Sequence, residues 1–177
     1  MSVKKIFLAG FGGQGVLLIG QMLTYAAMYA DQEVTWMPSY GPEMRGGTAN
    51  CTVCISDDKP IASPVVSTCD ILVAMNAPSL EKFESMLVPG GDLFINTSVV
   101  NIEPTRKDVN IHYVDTAAIA EELGEDKAAN MVMLGAIIRQ TGVVDLASMD
   151  TVFEKKFTGK KAKLIPVNKA ALDAWKK

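Results

Sequence analysis

Ile6-Phe7-Leu8-Ala9-Gly10-Phe11-Gly12-Gly13-Gln14-Gly15 decides the architecture of this chain. Apolar residues of strand character run into a glycine-dense turn, and a long apolar segment without proline, residues 16–30, follows at once. Strand, glycine turn and helix open a βαβ unit, and Gly10, Gly12 and Gly15 fit the spacing G-x-G-x-x-G. Glycine lets the backbone come close to a ligand, and a helix N-terminus offers unpaired N–H groups with a partial positive charge. A phosphate or carboxylate is the chemistry such a turn favours. The same glycines also suit a tight turn that only packs the first helix on the first strand, and spacing alone does not separate the two.

Working outward from that turn, the pattern predicts strands over 4–9, 34–37, 48–56, 71–75, 93–96 and 111–114. Helices are predicted over 14–30, 78–87, from Asp115 or Thr116 to Leu123, and over 127–140, 146–157 and 168–175. Asp57-Asp58-Lys59-Pro60 turns the chain, read as a hairpin towards Ile61 and Ala62, and Pro89-Gly90-Gly91 reads as a second turn. Strands alternating with helices specify α/β: a three-layer α/β/α, Rossmann-like arrangement around a mainly parallel sheet, with residues 1–177 as a single domain. The helices at 16–30 and 127–140 are apolar on nearly every side, so each is expected to leave a face for another chain.

Counted with its 14 glycines and without its four tyrosines, the apolar share is roughly 55%, above the about 45–50% of an ordinary domain. That excess suggests a subunit of something larger, and a homodimer when isolated. A net charge of −3 leaves no electrostatic footprint for nucleic acid. No apolar run approaches about 18 residues, so no membrane span is expected, and the cytoplasm is the expected location. Lys4-Lys5 before an apolar run resembles the start of a signal peptide, but the glycines cut that run and a strand is the better reading. Cys51, Cys54 and Cys69 make an odd count. Cys51-Thr52-Val53-Cys54 has CxxC spacing, yet on a strand those two residues face opposite sides. With no second CxxC and His112 as the sole histidine, a four-ligand zinc or iron–sulfur site cannot be built from these spacings.

A dinucleotide site needs an acidic residue at the carboxyl end of the second strand. Met37-Pro38-Ser39 stands there instead, and Asp31 and Glu33 precede the strand. A Walker A loop is excluded, because no Lys-Ser/Thr pair follows the glycines. The loop after the second strand, Pro38-Ser39-Tyr40-Gly41-Pro42-Glu43-Met44-Arg45-Gly46-Gly47, should emerge at the same edge as the glycine turn. Arg45 offers a planar fork for phosphate or carboxylate, Glu43 can hold that fork, and Gly46 and Gly47 permit close backbone approach. A plain surface ion pair between Glu43 and Arg45 is the competing reading, worth only about 0–1 kcal/mol.

Gly10-Phe11-Gly12-Gly13-Gln14-Gly15 and Ser39-Tyr40-Gly41-Pro42-Glu43-Met44-Arg45-Gly46-Gly47, in that order, resemble the gamma subunit of 2-oxoacid:ferredoxin oxidoreductases. Asn130-Met131-Val132-Met133-Leu134-Gly135-Ala136 looks like the late helix of that family, so the resemblance spans nearly the whole chain. It implies a subunit of an oxygen-averse complex that decarboxylates a 2-oxoacid such as pyruvate or 2-ketoisovalerate, yielding acyl-coenzyme A, carbon dioxide and reduced ferredoxin. Indolepyruvate is another substrate of the type. The complex would use thiamine diphosphate, magnesium, iron–sulfur clusters and coenzyme A, and would join this chain to alpha, beta and delta-type subunits. This chain lacks the Gly-Asp-Gly opening of a thiamine site, so no catalytic residue is assigned to it and no metal ligand. Its expected share is scaffolding and binding of coenzyme A, through Gly10, Gly12, Gly13, Gln14, Gly15, Tyr40, Glu43, Arg45, Gly46 and Gly47. A free-standing Rossmann-type protein binding NAD or S-adenosylmethionine, and a purely structural subunit, are the rival readings.

Overall fold

The computed structural model describes residues 3–41, 47–61 and 63–176, without the side chain of Tyr40. Its strands are β1 (Lys4–Phe11), β2 (Glu33–Tyr40), β3 (Thr48–Ser56), β4 (Cys69–Ala74), β5 (Leu87–Asn96) and β6 (Asn110–Val114). Its helices are α1 (Val16–Tyr29), α2 (Ala77–Phe83), α3 (Thr116–Glu122), α4 (Ala129–Thr141), α5 (Ser148–Lys156) and α6 (Ile165–Ala174). The strands form one sheet in the order β2-β3-β1-β4-β5-β6. β1, β4, β5 and β6 run parallel, and β3 runs against both of its neighbours, so the sheet is mainly parallel with one reversed strand.

β1 is buried on both faces, which is why it reads as an unbroken apolar run rather than an alternating one. Ile6 and Leu8 enter the larger core with α1 and α4, whereas Phe7 and Ala9 enter a smaller one beneath Leu80 of α2. The chain therefore leaves β1 over one face of the sheet and leaves the adjacent β4 over the other. A crevice opens between their carboxyl ends, the place where open α/β sheets take ligands.

Four elements differ from the sequence expectation. β2 continues through Pro38 to Tyr40, with Pro38 opposite Cys51, because a strand at the sheet edge needs no ladder from every N–H. The chain after Ser56 makes no hairpin at Ile61; β3 already has β1 and β2 on its two sides, and Ala62 lies outside the described residues. Pro89-Gly90-Gly91 is not a turn between elements but a bulge inside β5, where the pairing jumps from Cys69 opposite Leu87 to Ile71 opposite Asp92. Gly90 sits at φ +75° there, and its N–H donates to the Asp108 carbonyl at 2.7 Å. The fourth difference is α4, whose residues 131–138 are all buried within this chain. α1, α3 and α6 enclose it, so it keeps no apolar face for a partner.

Candidate anion-binding edge

The two glycine loops meet. The Gly12 N–H donates to the Gly47 carbonyl at 2.8 Å, and Gly41 N–H reaches Thr48 O at 3.3 Å. Gly13 adopts φ +101° with open space beside it, a backbone only glycine takes without strain. Gly15, at φ +77°, starts α1 with no side-chain cap, which leaves the first N–H groups of that helix facing the edge. A Cβ on Gly15 would meet Asn130 of α4 at 2.5 Å; one on Gly10 would meet Gln14 Oε1 at 2.7 Å and Met75 Cβ at 2.8 Å. Gly10 is thus glycine for packing, Gly13 for its backbone, and Gly15 for both.

Gln14 holds the crevice in shape. Its Oε1 accepts the Phe11 N–H at 2.7 Å and Asn76 Nδ2 at 3.3 Å, while its Nε2 donates to the Met75 carbonyl at 2.9 Å. One amide therefore ties the carboxyl end of β1 to that of β4. Asn76 in turn caps α2, accepting the Ser79 N–H at 2.9 Å.

Beside Gln14 lies a cavity of about 320 Å³, lined by Gly13, Gly15, Asn96, Ser98, Lys127 and Asn130 among others. Asn96 ends β5 and is 4% exposed. Its Oδ1 accepts the Ser98 N–H at 3.2 Å and the Thr116 hydroxyl at 2.9 Å. Because a backbone N–H can only donate, the amide orientation is determined, and Nδ2 is left in the wall without a partner among the described residues. Ser98 Oγ accepts the Ala117 N–H at 2.8 Å and donates to Asp115 Oδ1 at 2.7 Å, anchoring the start of α3. Lys127 stands exposed at the rim, with no ion pair among the described residues. A 3-10 turn over Asp126–Ala128, capped by the Glu125 carboxylate, runs straight into α4, and the Ala129 N–H donates to the Asp126 carbonyl, so of the two helices α1 alone brings an uncapped start to this edge. That N-terminus, the Lys127 ammonium and the Asn96 amide suit an anionic oxygen, with the Asp126 carboxylate on the same rim opposing it.

Of the residues expected at the site, Gly10, Gly12, Gly13, Gln14, Gly15 and Gly47 lie together at this edge. The backbone of Tyr40 pairs with Ala49 at the end of β2. Glu43, Arg45 and Gly46 lie outside the described residues. Asn76, Asn96, Ser98, Thr116, Lys127 and Asn130 were not foreseen. The signal for two of them was there, since Asn76 directly follows β4 and Asn96 ends β5, and carboxyl ends of parallel strands line such crevices. No carboxylate stands at residues 37–41, the place a dinucleotide ribose requires. Among the described residues no group of three or more His, Cys, Asp or Glu is arranged to hold a metal ion. Burial pushes the Cys51 and Cys69 thiols up to about 12 and raises that of Cys54 as well. These are inert sulfurs of the core. Among the described residues no helix is long and apolar enough to cross a membrane.

Fold and edge together define an α/β module of the doubly wound kind with two glycine loops joined at its carboxyl edge. The chain belongs to the pyruvate ferredoxin/flavodoxin oxidoreductase family, whose sequence model matches residues 5–175. It is 38% identical to the ketoisovalerate oxidoreductase subunit VorA of Methanothermobacter marburgensis over 96% of its length, but spans only 35% of that relative. To the 2-oxoglutarate synthase subunit KorC of Methanocaldococcus jannaschii it is 39% identical, with 83% of this chain and 80% of the relative covered. The crystal structure of the keto/oxoacid ferredoxin oxidoreductase gamma subunit from Geobacter sulfurreducens superposes with a TM-score of 0.80 at 26% identity, covering 97% of this chain and 95% of that one.

Proposed function

We propose that this chain is the gamma-type subunit of a 2-oxoacid:ferredoxin oxidoreductase, and that its carboxyl edge takes part in binding coenzyme A. The complex would carry out oxidative decarboxylation of a 2-oxoacid to acyl-coenzyme A and carbon dioxide, with the electrons passing to ferredoxin. Support comes first from the family and from near-full-length similarity to a 2-oxoglutarate synthase subunit. The observation that carries the site is the junction of the two glycine loops, Gly12 N–H on Gly47 O, beside the uncapped start of α1. Backbone donors at such an edge suit the phosphates of coenzyme A, and the Arg45 loop belongs to the same proposal.

The bond-breaking chemistry falls to the other subunits in this reading. Thiamine diphosphate with its magnesium ion supplies the electron sink for decarboxylation, and iron–sulfur clusters supply the electron path. The three thiols of this chain are spread through buried strand positions, so they do not fit a cluster. The partners would be alpha, beta and delta-type subunits in the cytoplasm, and the isolated chain would pair as a homodimer. The test is reconstitution. The purified chain should not reduce a viologen dye with 2-oxoacid and coenzyme A, and activity should appear when the other subunits are added. Turnover by this chain alone, or full turnover by the other subunits without it, would overturn the assignment.

A further inference from the structure

One stretch of the surface concentrates positive charge. Residues 155–163 carry five lysines and no carboxylate, in a chain whose net charge is −3. The fold accounts for two of the five. Lys155 and Lys156 end α5, where the helix dipole favours cations, and their ammonium groups lie 4.0 Å and 3.3 Å from the ring centroids of Tyr29 and Tyr25. Lys160, Lys161 and Lys163 have no such reason. They stand exposed on the 3-10 turn Gly159–Leu164, and none of them enters an ion pair among the described residues. Like charges on one short turn repel, so this chain gains nothing from them by itself.

The same turn closes an apolar pit. Phe157 before it and Leu164 at its end wall a hollow of about 150 Å³ with Leu18 of α1 and the buried Met131 of α4. Leu18, Phe157 and Leu164 are each half-buried, which leaves apolar surface open to water beside the lysines. Lys127 and Glu125 also reach the pit, and the Glu125 carboxylate accepts the Lys127 N–H at 3.4 Å. A hollow of that size takes one large apolar side chain, the usual form of an interface anchor.

We propose that this face docks an acidic segment of a partner subunit, an inference that rests on the subunit reading above. One apolar side chain of the segment sits in the pit. Glu125 opposes negative charge on its own side, so the carboxylates of the segment lie over Lys160, Lys161 and Lys163. Charge complementarity selects an acidic occupant. The net negative charge of the chain selects a short one: a nucleic acid or an anionic membrane spreads its charge widely and meets repulsion from the rest of the molecule. A segment feels the turn alone, within a screening length of about 10 Å.

Sedimentation of the full chain with the purified other subunits, at several salt concentrations, tests this. Lys160→Glu, Lys161→Glu and Lys163→Glu together, at exposed positions that leave folding intact, should weaken association about tenfold or more and remove its dependence on salt. Leu18→Glu, which sets a carboxylate at the pit, should weaken association as well, with the urea midpoint verifying its fold. Association indifferent to the triple change would overturn the inference. So would a triple variant that joins the subunits normally but loses affinity for coenzyme A, for poly(U) RNA or for phosphatidylglycerol vesicles, since the turn would then be a phosphate-binding surface. Failure of the unaltered chain to join the other subunits would overturn the subunit reading and this inference with it, whereas indifference to the triple change sinks this inference alone.

Discussion

Gln14→Ala removes the amide that joins the carboxyl ends of β1 and β4. Three hydrogen bonds go with it: from the Phe11 N–H, to the Met75 carbonyl, and from Asn76 Nδ2. The Phe11 N–H and the Met75 carbonyl are backbone groups in a half-buried place, and each unpaired group costs about 1–3 kcal/mol, towards the lower value where water has some access. The Asn76 contact is long at 3.3 Å and adds little. The expected loss is about 2 kcal/mol, read as a lower urea midpoint by the fluorescence of Trp36 and Trp175. Gln14→Glu sharpens the argument. A carboxylate still accepts from Phe11 but sets a second acceptor against the Met75 carbonyl, so the folded state favours the protonated acid. A carboxyl whose folded pKa lies above its unfolded one stabilises more as pH falls, so this variant should approach wild-type stability in mild acid and lose it towards neutrality. An unchanged midpoint for Gln14→Ala, or a Glu variant indifferent to pH, would refute the role given to this side chain.

Gly135→Ala should destabilise by about 1–3 kcal/mol, because the new methyl would run into the backbone of Leu172 on α6, which cannot turn aside as a side chain can; thermal unfolding measures it. Cys51 and Cys69, with thiols held near 12 by burial, should resist alkylation at mildly alkaline pH in the native chain and react once it is unfolded. Rapid native labelling would show those strands to be open. Arg45→Ala should raise the coenzyme A requirement of the assembled enzyme about ten- to a hundredfold without loss of assembly; loss of assembly alone would make Arg45 an interface residue. Sedimentation at micromolar concentration should find a homodimer. The outward side of α1, with Met28 half exposed beside Tyr25 and Tyr29, is where an aspartate should break it; monomeric behaviour of the native chain would rule the pairing out.

Local chemistry determined a great deal here. The apolar run into Gly10–Gly15 specifies strand, turn and helix by itself, since its neighbours in sequence are its neighbours in the βαβ unit. Strand β3 and helix α3 were equally legible from β-formers and from the Asp115 cap, whose carboxylate takes the Ala118 N–H. Tertiary structure alone decided that Pro38 continues a strand, because only the sheet order makes β2 an edge. It also decided that Pro89-Gly90-Gly91 bulges within β5, since the neighbouring strand supplies the register that the bulge interrupts. The candidate site divides in the same way. The glycines were visible because their spacing is a property of one segment. Asn76, Asn96 and the neighbouring Lys127 and Asn130 come from three separate places in the chain, and each is an ordinary polar residue until strand order and helix packing bring them to one edge.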